Sequence, residues 1–320
     1  MKKVIILLLV LTVGFAAFAN GATENADAWA KTVDVIVPAK AGGGTDLAAR
    51  ALWDYIAKQE GNNIGIVNND TGNCVVAFEE TRTAQTDGSK ILFFNGGFLT
   101  RIASGIYNHT VDEFTPLAVF YGSDPAYALL VSSESNIKTI ADLKAAATSG
   151  EVIFGCNIGG TTQVMANDLA KAMGVNFKVV MSGSDTTALT ELVGRSIDVC
   201  YVNVNQARQY IESGKAVALG ILGQDNTPAK RSPVLPDVPN LNELGYDVYF
   251  GVYFIVAGPK GMSQALAEKI YNYLVAATKD ADVRALLEPS GLLSDTFTPF
   301  NEMSSLLKTV QDSYIAAFAN

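Results

Sequence analysis

Two stretches of the sequence share one order of features: an apolar β-branched run, a glycine-rich loop and a helical pattern. In the first, residues 33–37 predict a buried strand, glycines 42–44 form the loop, and residues 46–58 predict a helix. In the second, residues 152–155 predict the strand and residues 156–160 the loop. A helix N-terminus behind such a loop presents free backbone N–H groups and a partial positive charge. Each stretch is therefore a potential anion site, and the repetition predicts two similar lobes that face a shared cleft.

The start of each helix carries residues that suit an N-cap. We expect Thr45 or Asp46 to cap the first helix and Thr161 or Thr162 to cap the second. The second helix carries an apolar stripe at helical spacing, made of Met165, Leu169, Ala172 and Met173.

Strands and helices alternate along both halves, which predicts a parallel, doubly wound sheet in each lobe. Ligands of such sheets bind beyond the carboxyl ends of the strands. Asn95 and Asn203 each follow a predicted strand and therefore face the cleft in this interpretation. Each asparagine can hydrogen-bond the end of a ligand that lies away from the glycine loops, or it can cap only its own loop.

The apolar runs at 127–131 and 249–256 are long enough to connect two lobes. They divide the mature chain into lobe 1, residues 32–128 with 251–320, and lobe 2, residues 129–250. Two crossover strands make a hinge, and closure about a hinge is a common way to enclose a ligand.

The N-terminus has the form of an export signal. Lys2 and Lys3 precede an apolar run that is too short to anchor in a bilayer, and Ala17 to Ala19 fits a signal-peptidase site. We therefore predict a signal peptide at 1–19, a flexible tail at 20–31 and an exported protein, with Ala26 to Ala28 as a weaker cleavage site. Loss of the two lysines takes the net charge from −9 to −11, which argues against a nucleic-acid partner.

Cysteine and histidine are scarce. Cys74, Cys156 and Cys200 form no zinc-type spacing, and we interpret the last two as small buried hydrophobic residues. His109 is the only histidine, lies in a polar loop and is expected to be a solvated surface residue. Most imidazole-based catalysis and histidine metal sites are thereby excluded, and we predict neither a metal nor a cofactor.

The glycine loops do not match the common enzyme motifs. The segment from Gly42 to Asp46 is not the G-x-G-x-x-G of dinucleotide-binding proteins, and the chain has no P-loop and no G-x-S-x-G elbow. The sequence therefore predicts a binding protein without catalytic residues.

Several motifs, in this order and spacing, resemble the solute-binding receptors of tripartite tricarboxylate transporters, the Bug or TctC-type extracytoplasmic binding proteins. The resemblance covers nearly the whole mature chain. It rests on residues 35–46 with Ala49 and Arg50, on 86–89, on 154–162, on 194–198, and on 231–239 with 243–245.

This resemblance implies a Venus-flytrap fold that closes on a small carboxylate, with a di- or tricarboxylate expected. It also implies a monomer that delivers the ligand to membrane permease subunits. The backbone amides of both loops would hold one carboxylate, commonly through ordered waters, so a protein of negative net charge can bind an anion. The ligand-binding positions carried over are Ala41, Gly42, Gly43, Gly44, Thr45, Asp46, Gly159, Gly160, Thr161 and Thr162.

The chain departs from the family pattern near this pocket. Lys40 and Asn157 are further candidate ligand contacts, and Met181 to Gly183 replaces a tyrosine–lysine–glycine segment. These departures leave the ligand open, including an uncharged solute or an amino acid. A receptor that reports to a signalling partner is equally compatible with the sequence. Asp46 is assigned first to ordering its loop and second to the ligand.

Overall fold

The structure is a computed structural model that describes residues 28–121, 126–223, 231–250, 253–288, 292 and 296–318. The predicted signal peptide lies outside the described residues, as does most of the predicted tail.

The first sheet has five strands in the order β2-β1-β3-β10-β4. Its strands are rich in β-branched and aromatic residues, which suit a pleated and buried surface. They are β1 Thr32–Val37, β2 Asn63–Asn68, β3 Lys90–Asn95, β4 Phe114–Tyr121 and β10 Tyr253–Pro259.

The second sheet repeats this arrangement in the order β7-β6-β8-β5-β9. Its strands are β5 Tyr127–Ser132, β6 Ile153–Cys156, β7 Lys178–Met181, β8 Val199–Asn203 and β9 Ala216–Leu222. Two α/β lobes with the same strand order confirm the fold class that the repeated sequence pattern predicts.

One strand of each sheet corrects the expectation of a fully parallel sheet. β10 runs antiparallel to β3 and β4, and β5 runs antiparallel to β8 and β9. The cause is the route of the chain, because β5 follows directly on β4 of the other lobe and β10 returns from the second lobe. A strand that enters from the opposite lobe runs against strands built by successive βαβ units.

Ten α-helices are described. They are α1 Gly44–Glu60, α2 Val75–Arg82, α3 Gly97–Ala103, α4 Ile140–Ser149, α5 Thr161–Met173, α6 Asp185–Val193, α7 Val204–Glu212, α8 Gln264–Ala277, α9 Ala281–Leu287 and α10 Met303–Phe318. Short 3-10 turns occupy Val111–Glu113 and Phe300–Glu302. The sequence pattern does not predict α3, because Gly96 and Gly97 at its start resemble a turn.

The apolar core is continuous between the lobes. Phe94 and Phe98 of the first lobe belong to the same buried cluster as Phe154 and Met165 of the second. In the predicted stripe of α5, Met165, Leu169 and Met173 are buried, whereas Ala172 is exposed and was wrongly included.

The last helix, α10, contacts both α3 in lobe 1 and α5 in lobe 2. Its Gln311 accepts a hydrogen bond from the Val111 amide at 3.0 Å, and its Ala317 carbonyl accepts one from Asn167 at 3.4 Å. This helix therefore fastens the two lobes to each other beside the cleft.

Candidate ligand-binding site

The first glycine loop passes directly into α1 without a side-chain cap. The N-cap residue is Gly43, so the expectation that Thr45 or Asp46 caps this helix is wrong. The Asp46 carboxylate instead accepts a hydrogen bond from the Gly42 amide at 2.8 Å, and Gly42 has φ +82°. Such a φ favours glycine, since a Cβ makes that backbone conformation costly. The side chain thus fixes the loop and leaves the N–H groups of the first helical turn without a side-chain acceptor.

Asp46 is 1% exposed and is held by three donors. Besides Gly42, its carboxylate accepts from Arg50 Nε at 2.9 Å and from Asn68 Nδ2 at 2.9 Å. Burial raises the pKa of Asp46, but the hydrogen bonds from Arg50, Gly42 and Asn68 outweigh burial and lower it overall. The carboxylate is therefore ionised at neutral pH and committed to the loop.

The second glycine loop has the same construction. Its N-cap is Gly160, which corrects the expected cap at Thr161 or Thr162. The Gly159 amide, at φ +72°, donates to Gln163 Oε1 at 2.7 Å, and the Asn157 amide donates to Thr162 Oγ1 at 2.8 Å. A side chain at Gly160 would come within 3.0 Å of the Asn157 carbonyl oxygen, so the loop closes tightly on itself.

The second glycine loop lies at the boundary between the lobes. A Cβ on Gly159 would lie 2.2 Å from Ile106 Cδ1, so the second loop rests against lobe 1. A Cβ on Gly96 would lie 3.8 Å from both Thr161 Cγ2 and the Tyr314 hydroxyl. The start of α5 thus faces the start of α3, beside the C-terminal helix.

The two predicted asparagines make closely similar local contacts. Asn95 Oδ1 accepts from the Gly97 amide at 2.9 Å, and Asn203 Oδ1 accepts from the Asn205 amide at 3.0 Å. Both therefore cap the turn after their strands. Asn95 in addition donates from Nδ2 to Thr45 Oγ1 at 3.2 Å, which links the end of β3 to the first loop.

Five residues of this region are not predicted as site residues from the sequence. They are Gln163, Asp185, Tyr127, Phe250 and Tyr314. The repeat itself points to Gln163, because Gln163 follows Gly159 by four residues, as Asp46 follows Gly42. The other four come together only through the strand pairing and the return of the chain between lobes.

The sequence profile of the tripartite tricarboxylate transporter family receptor, TctC, matches residues 48–313. The chain belongs to this family. Among its curated relatives is BugT of Bordetella pertussis, 24% identical over 302 residues that cover 92% of this chain and 90% of BugT.

Solved structures share the fold of this TctC-family receptor. MatC of Rhodopseudomonas palustris, determined with bound malate, is 23% identical with a TM-score of 0.75 and covers 90% of this chain and 98% of its own. An R. palustris protein determined with adipate is 19% identical with a TM-score of 0.74 and covers 90% of this chain and 97% of its own. At these identities the likeness establishes the fold alone.

Lys40 and Ala41 of the receptor are exposed at the tip of the first loop. The Lys40 carbonyl accepts a hydrogen bond from the Gly43 amide at 3.3 Å, and the Lys40 ammonium group makes no hydrogen bond or ion pair with any residue that the structure describes. Its predicted contact with a ligand therefore stays a prediction.

The three cysteines and His109 take part in the packing of the fold. All three cysteines are free and buried, in agreement with the interpretation of Cys156 and Cys200 as hydrophobic residues. His109 lies at the surface as expected, with 31% of its side chain exposed, and it also packs on Tyr107 with its Nδ1 2.9 Å from a Glu113 carboxylate oxygen.

Within the part of the chain that the structure describes, no three histidine, cysteine or acidic residues are grouped so that they could hold a metal ion. None of the helices described has the length and apolar content required to cross a bilayer.

Proposed function

We propose that this TctC-family receptor captures a small carboxylate between its two glycine loops by closure of the lobes. The observation that supports the proposal is that α1 and α5 both start without a side-chain cap, each behind a glycine loop held by the third residue of the helix. The start of α1 is linked through Thr45 to Asn95, and the next residue, Gly96, approaches Thr161 at the start of α5. Free N–H groups and helix dipoles favour an anion at that point, and bridging waters extend their reach. The ligands in the two R. palustris structures, malate and adipate, are of the proposed class.

We further propose that the receptor works outside the cytoplasm and hands its ligand to membrane permease subunits. The cleft suits binding and release, because the backbone N–H groups that would hold the ligand are not chemically altered when it binds or leaves. Mass spectrometry of the exported protein would test the cleavage after Ala19, and co-purification with membrane permease subunits would test delivery.

Binding itself is tested by calorimetry on the mature protein with mono-, di- and tricarboxylates, and with sugars as controls. We expect binding of at least one carboxylate and none of the sugars. Gly43→Asp should abolish carboxylate binding, because it blocks the approach and adds a negative charge at the loop. Gly150→Asp is the matched control, since Gly150 lies before β6, at the opposite end of the sheet from the loops. Unchanged affinity in Gly43→Asp would refute the site.

A further inference from the structure

The cleft edge of lobe 2 contains an acidic residue that the carboxylate site does not use. Asp185 is the first residue of α6, and its Oδ2 accepts a hydrogen bond from the Asn203 amide at 3.0 Å. β6, β7 and β8 are parallel to one another, so their carboxyl ends lie at this edge. The second glycine loop starts from the same edge, directly after β6.

A chain of contacts connects Asp185 to the opposite lobe. Tyr127 lies opposite Asn203 in the β5–β8 register, and its ring meets the Phe250 ring at 6.5 Å between centroids. Phe250 stacks on Tyr314 at 6.2 Å with 6° between the ring planes, and the Tyr314 hydroxyl approaches Gly96 of lobe 1. Asp185 therefore lies at the edge of lobe 2 where the second glycine loop starts, and its neighbours in the β5–β8 pair reach toward lobe 1.

The charge of Asp185 is not compensated by a side chain in the part of the chain that the structure describes. No lysine, arginine or histidine there forms an ion pair with it, and its one hydrogen bond comes from a backbone amide. Burial raises its pKa, with the Asn203 amide acting in the opposite direction. Asp46 of the first loop, by contrast, is paired with Arg50. A half-buried carboxylate without a cation is costly, and a ligand that supplies the cation offsets this cost.

The surroundings of Asp185 add further negative charge. Glu191 of α6 accepts a hydrogen bond from Ser182, which follows β7 at the same edge. These acids would repel a second carboxylate group of a ligand and would attract a cationic group.

We infer that Asp185 receives a positively charged nitrogen of the ligand, so that the solute is a zwitterion whose carboxylate end binds the glycine loops. This inference rests on the proposed carboxylate site and adds the chemistry of the distal end. An amino acid or another aminocarboxylate fits it, and a dicarboxylate without a nitrogen fits it less well.

The test is calorimetry with ligand pairs that differ only by an ammonium group: succinate and aspartate, glutarate and glutamate, butyrate and γ-aminobutyrate. Propylamine serves as an amine without a carboxylate. The proteins are the mature wild type, Asp185→Asn and the control Glu151→Gln, whose side chain is exposed on lobe 2 and paired with Lys178. Asparagine keeps an oxygen for the Asn203 amide, and thermal unfolding checks that the variant is folded.

We expect the ammonium member of at least one pair to bind the wild type tenfold or more tightly than its partner. Asp185→Asn should remove this preference, and Glu151→Gln should keep it. Equal or weaker binding of the ammonium member in every pair overturns the inference, as does a preference that survives in Asp185→Asn. If Asp185→Asn is unfolded, the inference stands or falls on whether the wild type prefers the ammonium member of a pair.

The outcomes separate this inference from the proposed function. Binding of the plain carboxylates without any gain from the ammonium group refutes the inference and leaves the carboxylate site standing. Failure of every carboxylate, with Asp185-dependent binding of propylamine, refutes the carboxylate site and supports the cation site. Failure of the whole panel refutes both.

Discussion

The two glycine loops reach the same geometry with different chemistry. In lobe 1 the Gly42 amide donates to an aspartate at 2.8 Å, and in lobe 2 the Gly159 amide donates to a glutamine at 2.7 Å. In both loops the acceptor is the third residue of the following helix, and the N-cap is a glycine. The loop conformation therefore requires an acceptor at this position and does not require a charge.

The two loops differ in the electrostatic potential that they present to a ligand. The Asp46 carboxylate forms an ion pair with Arg50 and accepts a hydrogen bond from Asn68, and its charge offsets part of the positive potential at the first loop. Gln163 is uncharged, and the start of α5 acts on a ligand without an internal anion. We therefore expect the first loop to matter more for stability and the second loop to be more sensitive to added charge.

The largest effect is expected from deleting the two acceptors. Asp46→Ala should lower the free energy of unfolding by about 2–3 kcal/mol, because it leaves the Gly42 amide and two side-chain donors unsatisfied. Gln163→Ala loses one neutral hydrogen bond and should cost about 1 kcal/mol. Urea unfolding of both variants measures the two values, and equal losses would contradict the unequal roles of the loops.

Added charge should act most strongly on the second loop. Gln163→Glu keeps an acceptor for the Gly159 amide but places a negative charge beside the ligand, so carboxylate affinity should fall tenfold or more, or about 1.4 kcal/mol. The exposed control Gln264→Glu, at the start of α8, should bind as the wild type does. Calorimetry of both variants measures the carboxylate affinity. An unchanged affinity in Gln163→Glu would show that α5 is not part of the anion site.

The charge of Asp46 can be separated from its shape by acid. Asp46→Asn keeps the acceptor and should cost about 1 kcal/mol at neutral pH, since a charged hydrogen bond is replaced by a neutral one. The pKa of Asp46 is lowered in the folded state from an ordinary 3.8, so its ionised form stabilises the fold above that pH. This contribution is lost as the pH falls through the lowered pKa. Unfolding titrations from pH 6 to pH 2.5 should therefore show the gap between wild type and Asp46→Asn closing on acidification.

The smallest effect is expected from Arg50. This side chain is 49% exposed, so Arg50→Gln should cost less than about 1 kcal/mol in unfolding free energy. Its effect on ligand affinity is more informative, because the variant unmasks the Asp46 charge near the first loop. A modest loss of carboxylate affinity with little loss of stability is the expected result, and a gain in affinity would show that Asp46 does not oppose the ligand.

The sequence predicts the parts of the fold that depend on local pattern. The strand–loop–helix units at the two loops are recognised because β-branched runs, glycines and helical stripes follow each other within a few residues. The N-caps are assigned wrongly, since Thr45 and Asp46 have the composition of cap residues but Asp46 turns back to its own loop. An apolar run does not reveal the direction of β5 or β10 in its sheet, because that direction depends on the lobe from which the chain enters.

The candidate site is predictable to the same extent. Both loops and both asparagines are visible in the sequence as glycine runs and strand ends. Asp185 is not, because its closeness to Asn203 and Tyr127 arises from the pairing of β5 with β8. His109 shows a related case: a polar neighbourhood in sequence does not reveal that Tyr107 and Glu113 contact the ring.

The antiparallel strands also decide the order in which the molecule can be built during synthesis. Lobe 2 closes its sheet with β9, which ends at Leu222. Lobe 1 cannot: β10 lies between β3 and β4, so its sheet stays split until Pro259 has been made. The half of the protein that is translated first is thus the half that is finished last, and its completion waits for the strand that returns from a nearly finished neighbour.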